Sequence, residues 1–146
     1  MFDIPKSADC DFILDRLAIG ALSSRSIPGF RAIISCLAPH QMRELPNTHC
    51  FPAHNCLHIP IADGIPGLTP YIDKAITFIR GHIAQGPVLI HCGAGNSRSV
   101  SVTIAYLVSC GFSCQEAKAF IAARRPSICP APIFLDEIKQ HFGIER

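Results

Sequence analysis

The stretch Val88–Val108, VLIHCGAGNSRSVSVTIAYLV, runs from apolar residues to small and polar ones and back again. Its opening, PVLIHC, is short and apolar, the pattern of a strand covered on both faces. Its close, SVSVTIAYLVSCG, reads as a nearly all-apolar helix stopped by Gly111. A turn from a buried strand into a buried helix leaves the first helical N–H groups without partners, and with the helix dipole they form a seat for an anion. Gly93 and Gly95 let the backbone curl so that successive N–H groups of Gly93, Ala94, Gly95, Asn96, Ser97 and Arg98 point inward around an oxyanion. Arg98 adds a planar fork that grips two oxygens at once. Cys92 then lies at the bottom of the cradle, where positive potential can lower a thiol pKa from about 8.5 to roughly 3.5–7.5. The expected product is a thiolate facing a bound tetrahedral anion.

The chain contains its own control, because CDFILDR, Cys10 to Arg16, has the same Cys-x5-Arg spacing. That copy lacks a glycine in its interior, and its two aspartates would raise a thiol pKa rather than depress it. What distinguishes the second copy is the strand before it, the glycines, the hydroxyls of Ser97 and Ser99, and the helix after it.

Outward from this segment, strands alternate with helices. DFILDRLAIGAL reads as strand-like, RAIISCLA as a short buried strand, and CLHIPIA as another. From Leu68, Thr69 can cap a helix that begins with Pro70, carries a stripe of Ile72, Ala75, Ile76, Ile79 and Ile83, and ends near Gly86. Ser113 and Glu116 form a capping box for SCQEAKAFIAARR; Pro126, Pro130 and Pro132 then break the chain before a last helix around IFLDEIKQHF. The expectation is α/β: one compact domain over residues 1–146, with a central, mostly parallel sheet of four to five strands flanked by helices.

The run H-C-x-x-G-x-S-R-S resembles the signature of the cysteine-dependent dual-specificity protein phosphatases, a branch of the protein tyrosine phosphatase superfamily. The likeness covers most of the chain, from about Phe12 to Phe142. IPIADG followed by a helix looks like the family's general-acid loop, and ARRPSICPAPIFLDEI looks like its closing Arg-Pro and final helix. Ala131 departs from the pattern, since many members carry asparagine after the proline. The resemblance implies that Cys92 attacks phosphorus, that Asp63 protonates the leaving group, that Ser99 helps the sulfur leave, and that His91 orders the loop from behind. It also implies that one of Arg124 and Arg125 lines the rim; by position alone both complement a helix end. Asp73, in the first turn of its helix, is the weaker candidate acid. No metal or cofactor is expected, because N–H groups and a guanidinium suffice for the equatorial charge of a phosphoryl group in transfer. The neutral loop between Cys92 and Arg98 favours phosphotyrosine and phosphoserine/threonine of a phosphorylated protein substrate over a phosphoinositide.

Other properties narrow the class. With 49% hydrophobic and 16% charged residues the chain is expected to be ordered, and a net charge of +2 gives no reason to expect nucleic acid or a membrane surface as partner. The opening MFDIPKSADCDF has no secretory pattern, and no apolar run is long enough to span a bilayer, so a cytoplasmic protein, monomeric by default, is expected. Several of the eight cysteines lie in apolar runs and read as reduced thiols, with Cys36 a candidate partner for Cys92 in a reversible disulfide. HCFPAHNCLH, His49 to His58, invites a zinc proposal, but its spacing matches no common finger, and a loop leading into a strand with Cys56 and Leu57 packed inward is favoured. Sulfurtransferases and arsenate reductases also place cysteine in an anion loop, without the G-x-S-R-S ending or a preceding acid. A G-x-S-x-G hydrolase is excluded by Ser99 in place of the second glycine. A phosphopeptide-binding domain without turnover is the remaining rival, although Cys92, Arg98 and Asp63 are all present.

Overall fold

The computed structural model describes residues 8–45 and 55–144. Their five strands are β1 (Cys10–Leu14), β2 (Leu17–Gly20), β3 (Ala32–Ser35), β4 (Cys56–His58) and β5 (Val88–His91), in the sheet order β1-β2-β5-β3-β4. β1 runs antiparallel to β2; the other neighbours are parallel. Five helices accompany them: α1 (Pro39–Arg43), α2 (Ile72–Ile83), α3 (Arg98–Ser109), α4 (Cys114–Arg124) and α5 (Pro132–Phe142). The α/β class with a mostly parallel sheet is therefore as expected.

Strand alternation divides the core. Leu17, Ile19, Ala32, Ile34, Val88 and Ile90 face a large cluster built with α2 to α5, while Ala18, Ile33 and Leu89 face a smaller one with Cys10, Ile27 and Phe30. A sheet buried on both faces explains why β2, β3 and β5 have no polar alternation. α3 is buried from Arg98 to Val108, which accounts for its nearly all-apolar reading.

Two local expectations need correction. DFILDRLAIGAL is a hairpin: β1 and β2 pair with each other around Asp15–Arg16, a turn without the usual glycine or asparagine. Arg16 holds it from outside, donating to the carbonyls of Ile83 and Ala84 at 3.2 and 2.7 Å. Thr69 does not cap α2; it lies in a 3₁₀ turn ahead of it and gives its hydroxyl to Glu137 at 2.7 Å. The stripe itself is as read, with Ile72, Ala75, Ile76 and Ile79 buried and Ile83 half-buried. The Ser113–Glu116 box is reciprocal, at 3.0 and 2.8 Å.

Candidate active site

The parallel strands β2, β5 and β3 end side by side, and the segment from Cys92 to Ser97 crosses their C-terminal edge before α3 begins. Cys92 N donates to Gly20 O, Leu22 N to Gly93 O, and Cys36 N to His91 O, so both neighbouring strand ends hold the segment. Gly95 has φ +74°, and a Cβ there would stand 2.6 Å from Arg125 Nη2 and 2.7 Å from the Gly20 carbonyl carbon. Only glycine fits. Gly93 differs from expectation: its φ is not positive, and a Cβ there would meet Arg98 Nη2 at 3.3 Å, a tight contact that the guanidinium would have to yield to.

Arg125 shapes the curl from behind. It is 1% exposed, and its Nε and Nη2 donate to the carbonyls of Gly95 and Ala94 at 2.8 and 3.2 Å. A trans peptide points its N–H opposite its C=O, so drawing these carbonyls outward aims the next amides inward. Asp9 and Asp11 balance the charge at 2.9 and 2.8 Å. Of the two arginines at the end of α4, Arg125 is thus the one joined to the loop, on its outer side, while Arg124 stacks on Phe120 at 3.6 Å.

Cys92 is 2% exposed, with Sγ 3.2 Å from Ser99 Oγ. Burial pushes its thiol up, but hydrogen bonds from the Ser99 hydroxyl and from the amides of Ser99 and Gly95, with the charge of Arg98, outweigh it and hold the pKa below the ordinary thiol value. Ser97, at the cap of α3, gives its amide-facing role away: its Oγ accepts from Ala131 N at 3.0 Å, leaving the first turn of α3 without a side-chain cap. Ala131 thus reaches the loop through its backbone amide. Asn96 is also engaged in the loop frame, with Oδ1 accepting from Ser127 and its carbonyl from Cys129 N.

His91 is fully buried beneath Cys92. Arg25 Nε donates to Ser35 Oγ at 3.3 Å, so the hydroxyl hydrogen is free to point at His91 Nε2, 2.8 Å away. Nε2 is then the acceptor, and Nδ1 carries the proton that faces Cys92 O at 3.3 Å. Burial first, then Arg25 and Arg98, push this imidazole down to about 4 against the hydrogen bond to Cys92, so it is neutral at physiological pH.

Arg98 is 9% exposed and donates through Nη1 to Ile61 O at 3.1 Å and to Gln41 Oε1 at 2.9 Å. The first of these fastens the root of the IADG loop to the cradle. Asp63, two residues on, is exposed. The far end of the loop is held by Glu137, which accepts from the amides of Gly67, Leu68 and Thr69 and from the Thr69 hydroxyl. Burial opposes ionisation of Glu137, but those donors keep its carboxyl below the usual range. Asp73 is elsewhere occupied, paired with His141 at 2.8 Å.

Cys36 follows β3 as Cys92 follows β5, and the pairing of Ser35 with His91 makes the two cysteines neighbours at the strand ends. Both are free; burial, followed by the charge of Cys92, pushes the Cys36 thiol well up. Of the histidine and cysteine cluster, His49, Cys50 and His54 lie outside the described residues. His58 Nε2 donates to Leu37 O, and Cys56 and Leu57 are half-buried against the two cores. Among the described residues no group of three or more His, Cys, Asp or Glu could hold a metal ion, and no helix is long and apolar enough to cross a membrane.

Sequence reading alone missed Gln41, Glu137 and Ser35 and left Arg125 undecided. Each acts on a residue 56 or more positions away or, for Arg125 and the loop carbonyls, 30 and 31, so no local pattern marks it.

The arrangement has relatives. The mouse (Mus musculus) dual specificity protein phosphatase 8 is 39% identical over 88 residues, 58% of this chain and 13% of that protein. Human (Homo sapiens) dual specificity protein phosphatase 16 is 34% identical over 96 residues, 64% of this chain and 14% of that protein. The chain thus matches only about one seventh of the length of these curated relatives. Among solved structures, the human tyrosine phosphatase-like serine/threonine/tyrosine-interacting protein superposes with a TM-score of 0.80 at 25% identity, covering 93% of this chain and 97% of that one. Human DUSP28, at 20% identity and a TM-score of 0.78, covers 97% and 96% and shows the shared fold. The dual specificity phosphatase, catalytic domain family matches residues 18–143. With the cradle, its thiol and its fold in agreement, the chain belongs to that family.

Proposed function

We propose that this chain hydrolyses phosphomonoesters of tyrosine and of serine or threonine in phosphorylated proteins, through a phosphocysteine intermediate. The observation that carries this is the buried Cys92 thiol, held below its ordinary pKa by the Ser99 hydroxyl, the amides of Ser99 and Gly95, and the charge of Arg98. In the first step the Cys92 thiolate attacks phosphorus in line; the S–P bond forms, the P–O bond to the side chain breaks, and Asp63 gives its proton to the departing oxygen. In the second, water attacks phosphorus, Asp63 takes its proton, and the thiolate leaves with Ser99 Oγ–H donating to it. The amides from Gly93 to Arg98 and the Arg98 fork hold the equatorial oxygens throughout, so no metal is called for. His91 keeps the base of the loop in place through the Cys92 carbonyl.

A neutral loop between Cys92 and Arg98 supports a phosphoprotein over a phosphoinositide. Cys10, Cys36, Cys92, Cys110, Cys114 and Cys129 are free thiols, which suits the reducing cytoplasm, and we take the working unit as a monomer. Under peroxide, a Cys92 sulfenate condensing with the Cys36 thiol and releasing water would close a disulfide, read as a loss of two hydrogens in mass that Cys36→Ser abolishes.

Purified wild type, Cys92→Ser and Asp63→Ala assayed on an aryl phosphate, a phosphotyrosine peptide, a phosphothreonine peptide and a phosphoinositide test the proposal. Wild type should turn over the first three. Asp63→Ala should lose roughly 10²-fold on phosphothreonine, less on the aryl phosphate, whose leaving group needs little help, and should flatten the alkaline limb of the pH profile. Capture of phosphopeptide by wild type without turnover would make the chain a binding domain instead.

A further inference from the structure

Gln41 belongs to α1, which follows β3 directly, and its amide oxygen accepts two hydrogen bonds: from Ala38 N at 2.9 Å and from Arg98 Nη1 at 2.9 Å. Both partners can only donate, so the oxygen must face them and Nε2 points the other way. There Nε2 stands 3.8 Å from the position of a Cβ on Gly93, on the same flank as Arg98 Nη2. Arg98 Nη1 has two hydrogens, one directed to Gln41 and one to Ile61 O. Two fixed acceptors on one nitrogen fix the plane of a rigid guanidinium, and Nε and Nη2 remain for an oxyanion.

The residue type matters as much as the contact. A carboxylate here would hold Arg98 at least as firmly, but would set a negative charge against the cradle that favours the Cys92 thiolate and would receive a dianion. An aliphatic side chain would leave Nη1 with the Ile61 carbonyl alone, one acceptor where two are needed to fix the plane. We propose that Gln41 is a positioning residue for Arg98: its neutral amide sets the guanidinium so that Nε and Nη2 meet the phosphoryl oxygens, without cancelling the charge that binds them. This rests on the phosphatase function proposed above.

The test compares wild type, Gln41→Leu and Gln41→Glu, the first substitution also in an Arg98→Lys background. Three quantities are measured: kcat/KM on an aryl phosphate, inhibition by vanadate, and the pH profile of Cys92 alkylation by iodoacetate. Gln41→Leu should lower kcat/KM roughly 10- to 100-fold, the loss of one charge-assisted hydrogen bond, and should cost little more in the Arg98→Lys background, where no fork is left to orient. Gln41→Glu keeps the acceptor for Ala38 N and so keeps α1 folded. It should weaken vanadate about tenfold and move the alkylation midpoint to higher pH, since added negative charge disfavours the thiolate. The same fractional loss from Gln41→Leu in both backgrounds would overturn the proposal, as would Gln41→Glu with wild-type vanadate affinity and an unmoved midpoint. Should Gln41→Leu fail to fold, Gln41→Glu decides alone. A wild type that binds vanadate but turns nothing over would remove the phosphatase function, while the vanadate and alkylation comparisons would still decide Gln41.

Discussion

Cys10–Arg16 and Cys92–Arg98 place a cysteine and an arginine at the same spacing, and the structure surrounds them in opposite ways. Cys10 lies on an extended strand, where no run of amides can converge on its sulfur. Burial pushes its thiol up to about 12; Arg125 pulls against this, and Asp11 and Asp9 add to it. Arg16 sits in a hairpin turn and donates to the carbonyls of Ile83 and Ala84, at the negative C-terminal end of α2. Cys92 instead faces the positive N-terminal end of α3, and Arg98 opens that helix. The helix end a cysteine faces and the curl between it and the arginine decide whether its thiol is pushed up or held down. Spacing does not.

The largest test of this contrast is nucleophile removal. Cys92→Ser should lower aryl phosphate turnover by at least about 10⁴-fold, whereas Cys10→Ser should leave kcat/KM at the wild-type level; the same assay reads both. Next come the arginines. Arg98→Lys replaces a fork with a point charge and should cost about 10²- to 10³-fold in kcat/KM. Arg16→Lys should change stability by no more than about 0.5 kcal/mol in urea denaturation and leave kinetics alone.

Arg125 physically joins the two stretches, so Arg125→Met sharpens the comparison. It leaves Asp9 and Asp11 unpaired and frees the Gly95 and Ala94 carbonyls. Because both carboxylates are partly exposed, at 59% and 43%, the expected loss lies between the exposed and buried limits, on the order of 2 kcal/mol. Turnover should fall as well, because the amides lose their aim.

The smallest effect is in pH. For Cys10 the folded pKa is raised, so its contribution is full below the ordinary thiol value of 9.0 and is lost as pH rises toward about 12. For Cys92 the folded pKa is depressed, so its contribution is present above 9.0 and is lost as pH falls through the folded value. Denaturation of Cys10→Ala and Cys92→Ala against wild type from pH 6 to 10 should give difference curves of opposite slope; parallel curves would break the comparison.

The same contrast explains which features could be read without the structure. β5, the loop and α3 declare themselves because a buried strand, two glycines, an arginine and a buried helix are consecutive, and the Ser113–Glu116 box spans a single turn. Thr69 had the right residue type to cap α2, but a carboxylate 68 positions away took its hydroxyl. The turn at Asp15–Arg16 lacks the glycine or asparagine that announces a hairpin, and the bonds from Arg16 to the end of α2 that help hold it reach residues 67 and 68 positions away. Glycine at 93 was legible, its reason was not: the curl is made at Gly95, and Gly93 admits the guanidinium. Local pattern reports what a residue can do, and tertiary competition selects among its options.

The anchoring of Arg125 to the first strand bears on where the working unit can be cut. The family match begins at residue 18, downstream of both Asp9 and Asp11. A fragment trimmed to that boundary would retain every signature residue yet strand a buried cation without its counter-ions, and losing the edge strand β1 would loosen the curl at Gly95 that Arg125 holds.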